Sequence, residues 1–287
     1  MIYVTGGTGY LGGHLVKNLE DIGVKVLSRK ELEHPELIRL LEKNNCSVLV
    51  NLAAISDVTM SEKDPESAYN VNTFLPNKLI AIANKLEIKH FVQASTLMVY
   101  GETPTSGANE FAKANPPNIY SISKHNAEKA LLENTKVPLT ILRLANLIGP
   151  TVDNKIPKGV ASVFVSQALA NQQIVLSPIS TSCNDTPIRD FLDVKDAARA
   201  FRLAIENKPV STQTLNISTG IPTSLLTLAN IILSQTKSPK PAQGNPQNTI
   251  PVLVGDPSLA ALTIKWQHQT DLTRSVHDLI EAHKTIS

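Results

Sequence analysis

Apolar positions in the first half of the chain follow two alternating rhythms. Short apolar runs at Ile2–Thr5, Val24–Leu27, 48–52, 91–94 and 139–142 predict strands. The near-continuous run at 48–52 predicts a strand covered on both faces. Between these runs apolar residues return at helical spacing. Leu11, Leu15, Leu19 and Ile22 predict a helix closed by Gly23, and Leu37, Leu40 and Leu41 predict another over 35–44. Asp64-Pro65 reads as a helix start, an oxygen cap followed by proline at the first helical position. Pro76 is expected to bend or interrupt that helix, and 120–132 predicts a further one. Strand and helix in alternation predict an α/β protein with a doubly wound, mostly parallel sheet. Beyond Gly149-Pro150 the rhythm loosens. Helices are expected over 160–171, 194–206, 224–236 and 272–283, a strand over 215–217, and an exposed connection over 237–249.

Composition narrows the classes. The 287 residues suffice for one large domain or two smaller ones, and 42% hydrophobic against 18% charged residues supplies a core. Lys+Arg 27 against Asp+Glu 25 leaves a net charge of +2, too balanced for a nucleic-acid or membrane-surface protein. The longest apolar stretches, such as 48–55, fall far short of the ~18 residues a membrane helix needs. Met1 runs straight into Ile2-Tyr3-Val4, so no signal peptide is expected. Cys46 and Cys183 form no CxxC pair, and a reduced, cytoplasmic chain is expected. The seven histidines include no HxxxH or HExxH pair, so no metal site is expected.

The first strand opens onto Thr5-Gly6-Gly7-Thr8-Gly9-Tyr10-Leu11-Gly12, a G-x-x-G-x-x-G turn leading into the first helix. A tight strand-to-helix turn needs positive φ, and a diphosphate approaches a backbone only where no Cβ intrudes. The helix N-terminus adds free N–H groups and a positive dipole end. A purely structural glycine turn would look alike; its place at the start of a βαβ pattern points to a dinucleotide-binding, Rossmann-type sheet. About 20 positions on, an acid would bind an NAD ribose and an arginine would accept the 2′-phosphate of NADP. Ser28-Arg29-Lys30 stand there, with the first acid at Glu31. Ser28 and Arg29 suit phosphate, so NADP is expected with NAD as the alternative; Arg29 and Lys30 as solvated loop charges is the other reading.

Tyr120-Ser121-Ile122-Ser123-Lys124 is Y-x-x-x-K, which places a phenol and an ammonium on one helical face. A free phenol titrates near pH 10, and a neighbouring Lys⁺ stabilises its phenolate, making the pair a proton donor and acceptor for a carbonyl/alcohol couple. Ser95-Thr96 follows the 91–94 strand, at the strand end where ligands of open α/β sheets gather. Two turn hydroxyls capping local backbone is the bland reading of that pair.

Taken in order, TGGTGYLG (5–12), NLAA (51–54), NVN (70–72), STLMVYG (95–101), YSISK (120–124), LRLANLIGP (142–150), RDFLDVKD (189–196) and LNISTG (215–220) resemble the extended short-chain dehydrogenases/reductases of the NAD-dependent epimerase/dehydratase family. The resemblance implies Tyr120 as general acid/base, Lys124 lowering its pKa and binding the nicotinamide ribose, and Thr96 as hydroxyl partner. It implies cofactor contacts from Gly6, Gly9, Tyr10, Leu11 and Gly12, with Leu52, Ala53 and Ala54 opposite and Asn72 in support. It places Ser56, Met98, Asn146 and Arg189 toward the substrate, the last two facing its diphosphate, unless Arg189 only forms a surface pair with Asp190. The implied division is a cofactor portion of residues 1–150 rejoined by 189–220, and a substrate portion of 151–188 and 221–287. A homodimer is implied, with Ala127, Ala130, Leu131 and Ile80 as its candidate apolar face, unless these pack on the sheet; Trp266 is expected in the core.

Three departures matter. Leu97 and Met98 stand where dehydratases of the family carry Asp-Glu, so water elimination is not expected. The 29–48 segment lacks room for the usual third strand, as in the dTDP-4-dehydrorhamnose reductase branch. LSPISTSCNDTPI (176–188) replaces a glycine-rich turn that helps hold the substrate nucleotide in relatives. The expected function is an NAD(P)-dependent oxidoreductase of nucleotide sugars. Its leading form is the 4-ketoreductase of a 4-keto-6-deoxyhexose; a 4-epimerase with tightly held NAD is the alternative. A non-catalytic subunit of the same fold is a third reading, and other carbonyl or sterol-like substrates complete the range.

Overall fold

Parallel strands covered on both faces need apolar side chains pointing both ways. In the computed structural model, which describes residues 1–286 except 179–184, 208, 210, 237, 239–240 and 245–248, the predicted runs supply them. Cys183, the middle of 176–188 and parts of the 237–249 connection lie outside the described residues. The chain begins β1 (Ile2–Thr5), α1 (Tyr10–Asn18), β2 (Val24–Leu27), α2 (Arg29–Glu33), α3 (Leu37–Lys43), β3 (Val48–Asn51). It continues α4 (Val58–Lys63), α5 (Pro65–Tyr69), α6 (Leu75–Lys85), β4 (His90–Thr96), α7 (Ile119–Asn134) and β5 (Leu139–Leu144). Then come β6 (Asn146–Ile148), α8 (Val160–Leu169), β7 (Val175–Leu176), β8 (Ile188–Arg189), β9 (Phe191–Asp193), α9 (Val194–Asn207) and β10 (Gln213–Ile217). Last are β11 (Thr223–Ser224), α10 (Leu225–Thr236), β12 (Ala242–Gln243), β13 (Val252–Leu253), α11 (Ser258–Ile264) and α12 (Leu272–Ile286).

Six strands form one parallel sheet in the order β10-β5-β4-β3-β1-β2. One face packs Val4, Val50 and Val92 against α1, α9 and α11; the other packs Leu49, Phe91 and Ile141 against α3, α6 and α7. A separate cluster joins α8, α10 and α12 through Phe164, Ile232 and Leu279. Between β2 and β3 run only the two short helices α2 and α3, so the sheet ends on β2, as the short 29–48 segment implies.

Element ends differ where packing decides. The first helix stops at Asn18 and tightens into a 3₁₀ turn over Glu20–Ile22, because Leu19 completes the buried face and Ile22 faces solvent. Pro76 falls in the first turn of α6, where no N–H is needed, and a π-helical turn over Asn70–Phe74 joins α5 to α6. Trp266 is fully buried, its Nε1–H donating to the Asp196 carbonyl at 2.9 Å. Ala127, Leu131 and Ile80 are buried within the chain. They pack inward and form no exposed apolar face; Phe74 and Leu132 are the exposed apolar residues of that region.

Candidate functional site

β1 delivers the chain to the turn at the level where Thr5 lies opposite Leu27 and Asn51. Gly6 turns with φ +66°, and a Cβ there would stand 2.7 Å from the Ala53 nitrogen. A Cβ on Gly12 would stand 2.0 Å from the Gly6 carbonyl oxygen, so the turn closes only with glycine at both positions. Gly9 begins α1 with no side-chain cap and no acid in the first turn. The first N–H groups of α1 are thus left for a ligand. Gly6, Gly9, Tyr10, Leu11 and Gly12 line a crevice of about 690 Å³, and Leu52 and Ala54 line it too. This cradle, lined by main chain and bare of charge, fits the pyrophosphate of a dinucleotide. Ala53 lies beneath the turn, its N–H donating to Thr5 Oγ1 at 3.2 Å, and is not among the lining residues. Asn72 also stands behind the wall. From the π-turn it accepts from the Ile55 N–H at 2.9 Å and donates to Ser123 Oγ at 3.0 Å.

A row of buried polar side chains runs along the strand ends from the turn to Lys124. Thr5 Oγ1 donates to Asn51 Oδ1, Asn51 Nδ2 donates to Gln93 Oε1 at 2.9 Å, and Gln93 Nε2 donates to the Ala94 carbonyl at 2.8 Å. Lys124 Nζ donates to the same carbonyl at 2.5 Å. Three polar residues in otherwise apolar strands are tolerated because each finds a partner.

Thr96 ends β4 and Tyr120 and Lys124 project from the first two turns of α7, whose start Asn118 caps by accepting from the Ser121 N–H at 2.9 Å. All three line the crevice. Burial pushes the Tyr120 phenol up to about 12, while a hydrogen bond from the Thr96 hydroxyl favours the phenolate. Burial pulls Lys124 down to about 8, against the opposing charge of Glu128. The expected lowering of the tyrosine by the lysine is not seen: the phenol is raised. The ammonium is bonded to Ala94, desolvation dominates the phenol, and Thr96 is the group that opposes it.

Ser56, Met98, Asn146 and Arg189 line the same crevice. Arg189 does not pair with Asp190: the aspartate accepts from the Thr219 and Gly220 N–H groups, both at 2.9 Å. The guanidinium donates to the Ile188 carbonyl at 2.8 Å and to Thr249 Oγ1 at 3.0 Å, and burial lowers it to about 10. No carboxylate among the described residues forms an ion pair with it. A half-buried, uncompensated guanidinium facing a crevice suits a phosphate.

Ser28 and Arg29 are not brought into the crevice lining. In place of a loop, Ser28 caps α2 in a reciprocal box, its N–H and hydroxyl donating to the Glu31 carboxylate at 2.8 and 2.6 Å. Arg29, which is highly exposed, pairs with Glu33 at 2.9 Å. Three further residues escaped the sequence reading. Lys158 lines the crevice just before α8, with no motif to mark it. Glu128 and Arg143 form a buried pair at 2.6 Å behind Lys124. Their only sequence signal is the i+4 repeat Tyr120, Lys124, Glu128. No described His, Cys, Asp or Glu residues cluster as a metal site, and no helix of the described residues is long and apolar enough to cross a membrane.

The family model described as NAD dependent epimerase/dehydratase family matches residues 2–218. The UDP-glucose 4-epimerase of Rhizobium leguminosarum bv. trifolii is 26% identical over 98% of this chain and 97% of its own length. The GDP-6-deoxy-D-talose 4-dehydrogenase of Aggregatibacter actinomycetemcomitans is 28% identical over 90% of this chain and 88% of its own. The solved UDP-glucose-4-epimerase of Stenotrophomonas maltophila, with bound NAD and formylated UDP-arabinopyranose, superposes with a TM-score of 0.89 at 21% identity, over 99% and 98% of the two chains.

Proposed function

Because the chain belongs to the NAD dependent epimerase/dehydratase family of enzymes, we propose that it oxidises or reduces carbon 4 of a nucleotide sugar, foremost as the 4-ketoreductase of a 4-keto-6-deoxyhexose. The observation that carries this reading is one crevice holding a glycine cradle, the Thr96/Tyr120/Lys124 group and the uncompensated Arg189. A bound nicotinamide dinucleotide supplies or accepts the hydride. The chain does the rest. Gly6, Gly9 and Gly12 admit the pyrophosphate, with Leu52 and Ala54 as the facing wall and Ala53 and Asn72 behind it. Thr96 holds the reacting oxygen, Tyr120 gives or takes its proton, and the Lys124 ammonium stabilises the phenolate form. Asn146 and Arg189 take the sugar diphosphate, with Ser56 and Met98 beside the sugar. Leu97 and Met98 have no proton to move, so the reading excludes elimination of water.

Residues 1–150 with 189–220 hold the cofactor in this reading, and 151–188 with 221–287 cover the substrate. A homodimer is part of it, with Phe74 and Leu132 as the exposed apolar positions on the helices concerned. NADP(H) is the cofactor if Ser28 and Arg29 release their carboxylate partners. The exposed Arg29–Glu33 pair is worth about 1 kcal/mol at most and opposes little.

One observation favours a second reading, a 4-epimerase with tightly held NAD. Glu31, fixed on Ser28, puts a negative charge at the end of β2, where a 2′-phosphate would sit and an NAD ribose hydroxyl would find an acceptor. The test separates the two. Purified protein is examined for released nucleotide, then assayed with NADPH and with NADH against nucleoside-diphospho-4-keto-6-deoxyhexoses and against UDP-hexoses. Consumption of added NADPH with a 4-keto sugar supports the first reading. Interconversion of UDP-hexoses by protein that carries NAD and needs none added supports the second. Neither activity in either cofactor rejects both.

A further inference from the structure

Glu128 lies one turn beyond Lys124 on α7, and its side chain is 2% exposed. A carboxylate so buried must be compensated. It accepts from Ser95 Oγ and, from Arg143, Nη2 at 2.6 Å and Nε at 3.1 and 3.2 Å to its two oxygens. His125 Nδ1 stands 3.9 Å away. Ser95 and Arg143 are register partners on β4 and β5. Arg143 is anchored in turn, donating to the Tyr100 hydroxyl at 2.8 Å and to the Glu110 carbonyl at 3.2 Å. Tyr100 donates to Asn216 Oδ1 at 2.8 Å, on β10. The carboxylate thus ties α7 to two strands, and a bonded chain continues to a third.

Such a network is a poor device for stability, since apolar residues of the same volume often hold a core as well as a buried ion pair. Its position gives it another use. Ser95 directly precedes Thr96, Ala94 accepts from Lys124, and Glu128 follows Lys124 by four residues. The strand bearing the hydroxyl and the helix bearing the phenol and the amine are therefore joined at Glu128. We infer that Glu128 is a positioning residue for the Thr96/Tyr120/Lys124 group: its carboxylate fixes the spacing of β4 and α7 and its charge holds the Lys124 ammonium in place. The inference rests on the reading of those three residues given above.

Around Lys124 the ionisable groups are Tyr120, His125 and Glu128 on α7, Arg143 on β5, and Tyr100 and Glu110 beyond it. Burial lowers Lys124, and Glu128 opposes that fall. Removing the negative charge removes the opposition, so the ammonium is lost at lower pH.

Two variants separate charge from geometry. Glu128→Gln keeps the length and an acceptor oxygen for Ser95 and Arg143; Glu128→Asp keeps the charge and draws it back by one methylene. Lysine NMR with ¹³C label, assigned by Lys124→Met, follows the amine in the protein without added nucleotide. In Glu128→Gln its midpoint falls by about one pH unit from the native value near 8, and the alkaline limb of kcat, measured with NADPH and a nucleoside-diphospho-4-keto-6-deoxyhexose, moves down with it. In Glu128→Asp the midpoint stays close to native while kcat falls about tenfold with little change in KM. A native Lys124 titration and pH–rate profile in a folded Glu128→Gln overturns the inference. If that variant does not fold, native kcat in Glu128→Asp overturns it, and reduced kcat at native Tm supports it. Tyr120→Phe is the control: full activity there overturns the underlying reading and this inference together, whereas loss there with native behaviour of both Glu128 variants overturns this inference alone.

Discussion

The glycine turn and Tyr120 and Lys124 lie on one crevice, with Glu128 and Arg143 behind them, and the turn and this cluster are built in opposite ways. The turn is made of main chain. Its shape depends on missing side chains, and the N-terminus of α1 is its source of positive potential. The cluster is made of side chains, with charges buried and compensated across α7, β4 and β5. A backbone device is specified by a run of adjacent residues. A side-chain device is specified only after distant strands have been brought together. The first tolerates no added carbon at Gly6 or Gly12, whereas the second tolerates changes of size better than changes of charge or hydrogen bonding.

The largest expected effect tests the cluster. Tyr120→Phe removes one oxygen and should lower kcat about a thousandfold, ~4 kcal/mol in barrier, with nucleotide affinity and Tm close to native. Equal losses in kcat and in nucleotide affinity would mean that the two regions are not separable. Gly12→Ala tests the turn. The added carbon must displace the Gly6 carbonyl, at a cost of about 3 kcal/mol in urea unfolding together with loss of nucleotide binding by calorimetry. Gly13→Ala next to it meets chiefly the tip of Val152 and should cost less than about 1 kcal/mol. Equal costs at the two glycines would refute a turn closed by backbone contact.

An effect remote from both regions comes from the far end of β4 and calibrates them. His90 is buried with Nε2 2.9 Å from Thr140 Oγ1, and burial lowers it to about 4. The fold keeps the ring neutral, while the unfolded chain takes up a proton below its ordinary value of 6.5. Stability is therefore full above pH 6.5 and lost as the pH falls toward 4, by about 2 kcal/mol between pH 7 and pH 5. His90→Gln should remove that part of the acid dependence in urea midpoints. An unchanged slope would show that other groups carry it.

Much of the architecture was legible from spacing. The strand runs, the glycine turn, the cap at Asp64 and the i+4 pair Tyr120/Lys124 all follow from residues near one another in the chain. The structure departs from the sequence expectation where a group is already engaged, by partners three and four residues away at Ser28 and Arg29 and by packing at Ala127, Leu131 and Ile80. Ser28 and Arg29 looked free for phosphate and are engaged by Glu31 and Glu33. Ala127, Leu131 and Ile80 looked available to a partner and are packed inward. Of the two readings of Arg189 the pair with Asp190 is the one that fails, because the Thr219-Gly220 turn, some thirty residues on, engages that aspartate.

Local order along the chain was enough to specify a βαβ sheet, the bare turn at its first strand and a phenol with an amine on one helix face. Those features depend on φ, on the missing Cβ and on helical pitch, all of which act within a few residues. Whether a given charge is paired, buried or left facing the crevice was settled by folding. Glu128 became the partner of Arg143, and Arg189 was left without one, because electrostatic compensation is decided by neighbours in space, and here those neighbours come from strands far apart in the chain.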